Sequence, residues 1–401
     1  MKILIPVRSL GLRCLIFLFI APCIIMLLTS STAYAAESIS GGQPGLEAAA
    51  GGYSPKAVTS GIAAGLYHSM FIKRDGTLCT MGYNNDGQLG DGTTNSRSTP
   101  GQIASGVAQV AAGSVHSMFV KKDGTLWAMG WNRDGQLGDG TAANSNTPVQ
   151  IAEGVAQAAA GVFHTLFVKT DGTLWAMGNN NDGQLGDGTT TSRSTPVQVA
   201  SGVAQAAAGS AHSLFVKTDG TLWAMGYNND GQLGDGTINT RGTPVQVASG
   251  VVQVAAGGSY SLFLKTDGTL WSMGYNKYGQ LGDGTANASG IPVQVASGVV
   301  QIAAGCDHSL FVKTDGTLWA MGANYVNQLG DGTTDIRSSP VQVAAGVTQI
   351  AAGGSHSLFV KTDGTLWAMG SNYLGQHGDG TTTDRTMPGQ IAVGIAQVAR
   401  N

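Results

Sequence analysis

The stretch GYNNDGQLGDGT, Gly82 to Thr93, sets two aspartates among four glycines, the composition from which phosphate cradles and calcium loops are made. His68, His116, His164, His212, His308 and His356 form a second group that could converge as metal ligands. Asp86, Asp134, Asp182, Asp230, Asp307, Asp335 and Asp384 supply carboxylates of the type that hydrolytic pairs use. Which chemistry survives depends on how often each residue recurs.

The loop recurs. Copies begin at Gly130, Gly178, Gly226, Gly274, Gly322 and Gly370, each 48 residues after the last, so the chain is an array of seven units. A residue present in every unit serves what every unit must do, which is to fold and to pack against its neighbours. Asp75, Asp123, Asp171, Asp219, Asp267, Asp315 and Asp363 lie in Asp-Gly hairpins. Asp91, Asp139, Asp187, Asp235, Asp283, Asp331 and Asp379 lie in Gly-Asp-Gly loops, and both series read as turn formers. Their spacing fits neither the EF-hand loop nor the nonapeptide calcium repeat, and the Lys-Ser/Thr pair of a phosphate loop is missing.

The histidines read as ties from a strand start to a neighbouring loop. Tyr260 takes the position in unit 5, and tyrosine rarely ligates the metals that imidazoles select. His377 stands outside the series, in place of the leucine of GQLG. Trp127, Trp175, Trp223, Trp271, Trp319 and Trp367 share one strand position and read as blade packing, whereas Trp131 does not belong with them. No Gly-x-Ser-x-Gly or His-Glu-x-x-His motif is present, and the glutamates are Glu37, Glu47 and Glu153. We therefore expect no enzyme, no metal and no cofactor.

These residues must be positioned by short strands. One unit reads PVQVA from Pro196, VAQAAAG from Val203, HSLFVK from His212 and, across an Asp-Gly turn, TLWAMG from Thr221. Four β-prone runs per 48 residues predict an all-β seven-bladed β-propeller of seven four-stranded repeats. A parallel β-helix has shorter coils and would need capping segments. GQIAVGIAQVAR from Gly389 and TSGIAAG from Thr59 each match part of a unit, so both ends offer a strand to the same seam.

Residues 1–35 read as an export signal: Lys2, Arg8 and Arg13 precede an apolar run from Cys14 to Ser30, and Ala33-Tyr34-Ala35 is a cleavage site. An uncleaved anchor is the alternative; cleavage leaves no membrane span. A Gly/Ala-rich segment, 36–57, leads into a propeller at 58–401. Without its three basic leader residues the chain has 18 Lys and Arg against 24 Asp and Glu, a balance of −6 that argues against nucleic acid. Cys79 and Cys306, in units 1 and 6, are not expected to pair.

Where the copies differ, they differ on one face, formed by the short loop before each histidine and by the long loop. The candidates there are Tyr83, Trp131, Tyr227, Tyr275, Tyr278, Tyr325 and Tyr373, with Tyr67, Phe163 and Asp307 from the shorter loop. Aromatic patches of this kind anchor protein partners and also stack on sugars; the alternative is packing on adjacent loops.

GxNxxGQLGDGT after LWAMG and AAGxxHSLF resembles the regulator of chromosome condensation repeat family, through all seven units from about Gly61 to Thr381. The resemblance implies a seven-bladed propeller. Departures are Cys79 for the strand tryptophan, Tyr260 for the histidine and Asn327 for a loop glycine. It also implies three kinds of role. A guanine-nucleotide exchange factor of the namesake type uses an inserted wedge and a basic tail, which the unbroken spacing and a segment from Glu37 to Lys56 with one lysine do not provide. A secreted bacterial-type propeller that binds a protein through its variable face is the preferred expectation, placing the chain outside the cell, in the periplasm or on the cell surface. A carbohydrate-binding or hydrolytic envelope propeller is the alternative, and a duplicated array with no dedicated ligand is the dullest.

Overall fold

The computed structural model describes residues 60–396; the expected export signal at 1–35, the segment 36–57 and residues 58–59 and 397–401 lie outside the described residues. Blade 1 is an antiparallel sheet of β1 (Ile62–Ala64), β2 (His68–Ile72), β3 (Leu78–Gly82) and β4 (Arg97–Ala104), hydrogen-bonded in that order. Six further sheets repeat it, and the described residues form seven four-stranded blades. The hairpin between the second and third strands forms because Gly76 accepts a φ of 86° while Asp75 Oδ1 receives the Thr77 amide at 2.9 Å.

One detail of the sequence reading is corrected. PVQVA does not open a blade; Arg193–Ala200 is the outermost strand of the blade whose inner strand is Val155–Ala160. Proline explains the placement. It brings no amide to a ladder, so Pro100, Pro148, Pro196, Pro244, Pro292, Pro340 and Pro388 sit on free outer edges, where they also blunt pairing with another chain.

The core lies between blades. Met118, Val120, Leu126 and Ala128 of blade 2 pack on Val155, Ala158, Phe167 and Met177 of blade 3, and six other interfaces, the seam between blades 7 and 1 included, repeat the arrangement. Middle strands such as His212–Lys217 are therefore buried on both faces and read as continuous apolar runs rather than alternating ones. The six series tryptophans stack on phenylalanines of the same blade, as Phe119 does on Trp127 at 6.2 Å.

Around the axis the blades are tied by backbone. Leu66 N donates to Gly113 O, Ser114 N to Gly161 O, and so on to Gly354 N, which donates to Gly65 O and completes the circuit. The approach is so close that a Cβ on Gly113 would stand 2.4 Å from Gly161 O, which is why AAG ends every inner strand in glycine.

Both ends of the described residues enter the seam, within a single strand. Ile395 bridges Lys73, the pairing that Val107 makes with Lys121 in blade 2, and Ala396 N donates to Ile72 O. Gly61 to Ala64 continue the same inner strand. Gln349 of blade 7 spans the junction, donating to Ala396 O at 2.7 Å and receiving Gly61 N at 3.1 Å.

Two departures from the repeat leave local strain. Asn327 holds φ at 64° where six other loops place glycine, and its Oδ1 is buried without a partner. Asn327→Gly is expected to raise stability by about 1 kcal/mol, read as a higher urea midpoint. His377 replaces a leucine that is fully buried in the six other blades, and neither of its ring nitrogens finds a hydrogen-bond partner. Burial pushes its imidazole down to about 4. His377→Leu removes two unsatisfied nitrogens from an apolar site and is expected to stabilise by roughly 2 kcal/mol, with the gain growing below neutral pH. An unchanged urea midpoint would contradict this.

The variable loop face as candidate site

Each long loop is organised by an asparagine that the sequence reading passed over, although it recurs at Asn84, Asn132, Asn180, Asn228, Asn276, Asn324 and Asn372, all fully buried. Asn180 Nδ2 donates to Asp187 Oδ1 at 3.1 Å, Thr189 O at 3.1 Å and Thr191 O at 3.2 Å, while its Oδ1 receives Leu185 N at 2.9 Å. Asp187 also receives the Thr189 amide at 3.0 Å and is clamped by Arg193 at 2.7 Å. These neighbours, the Thr189 hydroxyl and the arginine among them, lower its carboxyl against the opposing effect of burial. The loop is thus an internally satisfied turn, and its aspartates are engaged in holding it.

The histidines form a circuit between blades. His68 Nε2 lies 2.7 Å from Ser117 Oγ, His116 Nε2 3.0 Å from Thr165 Oγ1, His164 Nε2 2.9 Å from Ser213 Oγ and His212 Nε2 3.0 Å from Ser261 Oγ. His308 reaches Ser357 at 2.9 Å, and His356 crosses the seam to Ser69 at 2.9 Å. Tyr260 continues the circuit, donating to His308 O with its oxygen 3.0 Å from Ser309 Oγ. Ser117 Oγ donates its own proton to Gln88 O at 2.8 Å, so it can only accept from the imidazole. Nε2 therefore carries the proton and Nδ1 is bare. Among the described residues, no three His, Cys, Asp or Glu side chains converge as metal ligands would.

The residues left unabsorbed by the scaffold are those that vary, and they gather on the face formed by the two loop types. Tyr67 stands edge-on to Tyr83 at 6.3 Å and to Tyr373 at 5.7 Å, making one cluster at the seam. Tyr278 stands edge-on to Tyr275 at 6.1 Å and to Tyr325 at 5.8 Å, making a second across blades 5 and 6. Trp131 is separate: Arg133 covers its ring at 5.0 Å and its Nε1 is buried without a partner. Tyr227 lies among Asp182 and Asp230, and burial first, then Asp230, raises its phenol. Tyr325 and Tyr373 are well exposed; the other five candidates are half-buried.

Acids accompany the aromatics. Burial raises the carboxyls of Asp86, Asp182 and Asp230, with Arg133 opposing at Asp86 and a Ser259 hydrogen bond at Asp230. Asp134 Oδ1 receives Asn179 Nδ2 of the next blade at 2.9 Å. Asp307, on the short loop of blade 6, is pushed up to about 7 by burial. Cys306 beside it lines the central cavity, and Cys79 is buried in blade 1; both are free.

A family profile described as the RCC1-like domain matches residues 105–400, which is most of the chain. The chain belongs to the RCC1-like domain family. Regulator of chromosome condensation (RCC1) repeat profiles also match at 75–120 and 59–88. No curated protein matches. Among solved structures this RCC1-like chain is similar to human WBSCR16, at 24% identity and a TM-score of 0.71, covering 79% of this chain and 94% of that one. Prp20p from Saccharomyces cerevisiae, whose structure was reported with its binding properties to Gsp1p and histones, is 22% identical with a TM-score of 0.71, covering 83% and 94%. Yeast RCC1 (Prp20) in a complex with Kap60 gives 22% identity and a TM-score of 0.71, covering 91% of both chains. At these identities the likeness establishes the fold of the RCC1-like ring.

Proposed function

We propose that this chain is an exported, non-catalytic RCC1-like propeller that holds a protein partner on its variable loop face. The observation that carries the reading is the division of labour among side chains. Residues repeated in every blade are bonded to one another, while the unrepeated aromatics and acids collect on one face in two clusters, with two tyrosines well exposed. Proteins of the same fold, described with Gsp1p, histones and Kap60, support protein binding as the class of activity. The leader-like residues 1–35 support export.

The test immobilises the chain from Ala36 and captures partners from envelope and culture-medium extracts. A variant with Trp131, Tyr278, Tyr325 and Tyr373 changed to alanine serves as the comparison. A protein retained by the parent and lost by the folded variant is the expected result. Equal capture by both would remove the face from consideration, and binding to a glycan array instead would favour the carbohydrate-binding alternative.

A further inference from the structure

We propose that the corner formed by Tyr275, Tyr278, Tyr325, Asp230 and Asp307 is a receptor for an arginine side chain presented by the protein partner. This deepens the reading of the variable face as a protein-binding surface and rests on it.

Asp307 has no counterpart in the repeat. The residue before the histidine or its substitute is Tyr67, Val115, Phe163, Ala211, Ser259 and Ser355 in the other blades, so six blades fold without an acid there. Blade 6 nevertheless holds one in a poorly solvated place, where its one described hydrogen bond comes from Gln280 Nε2 at 3.3 Å. Burial is the whole cause of its raised carboxyl, whereas Asp86 has Arg133 beside it. Above it the Tyr275 hydroxyl is buried with no partner, within the electrostatic reach of Tyr278, Asp307, Asp230 and Tyr325. The rings stand nearly perpendicular, 71° for Tyr275 and Tyr278 and 89° for Tyr278 and Tyr325, so they wall the corner rather than stack shut. Lys277, on the same loop, is solvent-exposed.

An unfilled hydroxyl, two uncompensated carboxylates and tyrosine walls define the complement. It must be cationic, because the acids repel anions and the site is already poor in solvent. It must donate in several directions, since both carboxylates and the hydroxyl accept. A guanidinium offers five N–H groups in one plane and stacks on aromatic faces, whereas an ammonium offers three from a point. A neutral sugar would leave both carboxylates without a counter-charge.

The experiment titrates the purified protein, with isotope-labelled tyrosine rings, against Nα-acetyl-arginine amide, its lysine analogue and its uncharged citrulline isostere. Saturable shifts of Tyr275, Tyr278 and Tyr325 are expected for arginine, with citrulline weaker by at least about tenfold and lysine between them. Asp307→Asn weakens arginine binding by about tenfold, and Asp335→Asn, at an exposed acid outside the corner, leaves it in place. The corner's other acid, Asp230, has a carboxyl that burial also raises and so acts in the same direction; Tyr260, Tyr275 and Tyr278 are neutral between about pH 6 and pH 8, and the adjacent His308 is neutral there too. Affinity therefore rises with pH through the Asp307 titration. Equal response to arginine and citrulline, a titration unchanged in Asp307→Asn, or shifts as large at Tyr67, Tyr83 and Tyr373 would each overturn the assignment. The two readings fail separately. No arginine response, with partner capture still lost in the four-residue variant, removes only the receptor; capture unaffected by that variant, which lacks two of the three tyrosine walls, overturns the wider face and the partner's use of the corner together.

Discussion

Acidification from about pH 7 to about pH 5 is expected to lower the urea midpoint of this propeller steeply. Burial depresses His68 and His164 to about 3 and His116, His212 and His308 to about 4, and His356 falls well below its ordinary value. Once unfolded, each regains a value near 6.5 and takes up a proton that the native state refuses. The stability these groups contribute is complete above about 6.5 and is lost as pH falls from there toward 4, at about 1.4 kcal/mol per pH unit for each. With His377, which burial also depresses to about 4, seven acting together give an upper limit of roughly 10 kcal/mol per unit, a large fraction of the stability of a typical domain. Asp307 opposes them, because a raised native carboxyl stabilises as pH falls below about 7, and Asp86, Asp182 and Asp230 act in the same sense, but four carboxyls face seven imidazoles. Proton uptake on unfolding, measured near pH 5.5 from the pH dependence of the midpoint, should exceed two. A midpoint flat between pH 7 and 5 would show that the imidazoles are not held neutral.

Asn180→Ala is expected to destabilise by about 3 kcal/mol or more, far beyond an ordinary surface change. Removing the carboxamide strands the buried Leu185 amide and takes the donor from Asp187, Thr189 O and Thr191 O at once. Asn180→Asp keeps the acceptor for Leu185 but sets a second carboxylate against Asp187, and it should lose at least as much. Urea denaturation of both variants decides the matter: an aspartate variant close to the parent would mean that the donor side of the amide is dispensable.

The period of 48, the Asp-Gly hairpins and the β-prone runs were enough to read the blades and their number, because repetition shows seven times what a single copy would show once. The strand phase was not legible in the same way. PVQVA abuts the next inner strand in sequence, yet it lies at the edge of the preceding sheet, and only the meaning of its proline at a free edge would have revealed this. The Asn hub was visible as a repeated residue but was overshadowed by its aspartates and glycines. At the candidate site the sequence showed which residues vary. It could not show that Trp131 is capped by Arg133, that Tyr67 joins Tyr83 to Tyr373, or that Asp307 lies near Tyr275, since those meetings depend on loop paths between blades.

The junction at Gln349 has a topological consequence. Ala396 and Gly61 occupy consecutive places in one strand, and the Ala396 carbonyl oxygen lies 3.2 Å from where a Gly61 Cβ would stand, close to the spacing of residues joined by a peptide bond. Residues 61 to 396 number seven times 48. A bond between Ala396 and Gly61 would close the backbone into a covalent circle in register, and cutting that circle at any equivalent turn would yield a permuted chain with the same neighbours for every blade. The position of the first residue is then a matter of where the circle was opened, and head-to-tail joining should stabilise the ring by restricting its unfolded chain, with no new side-chain contact required.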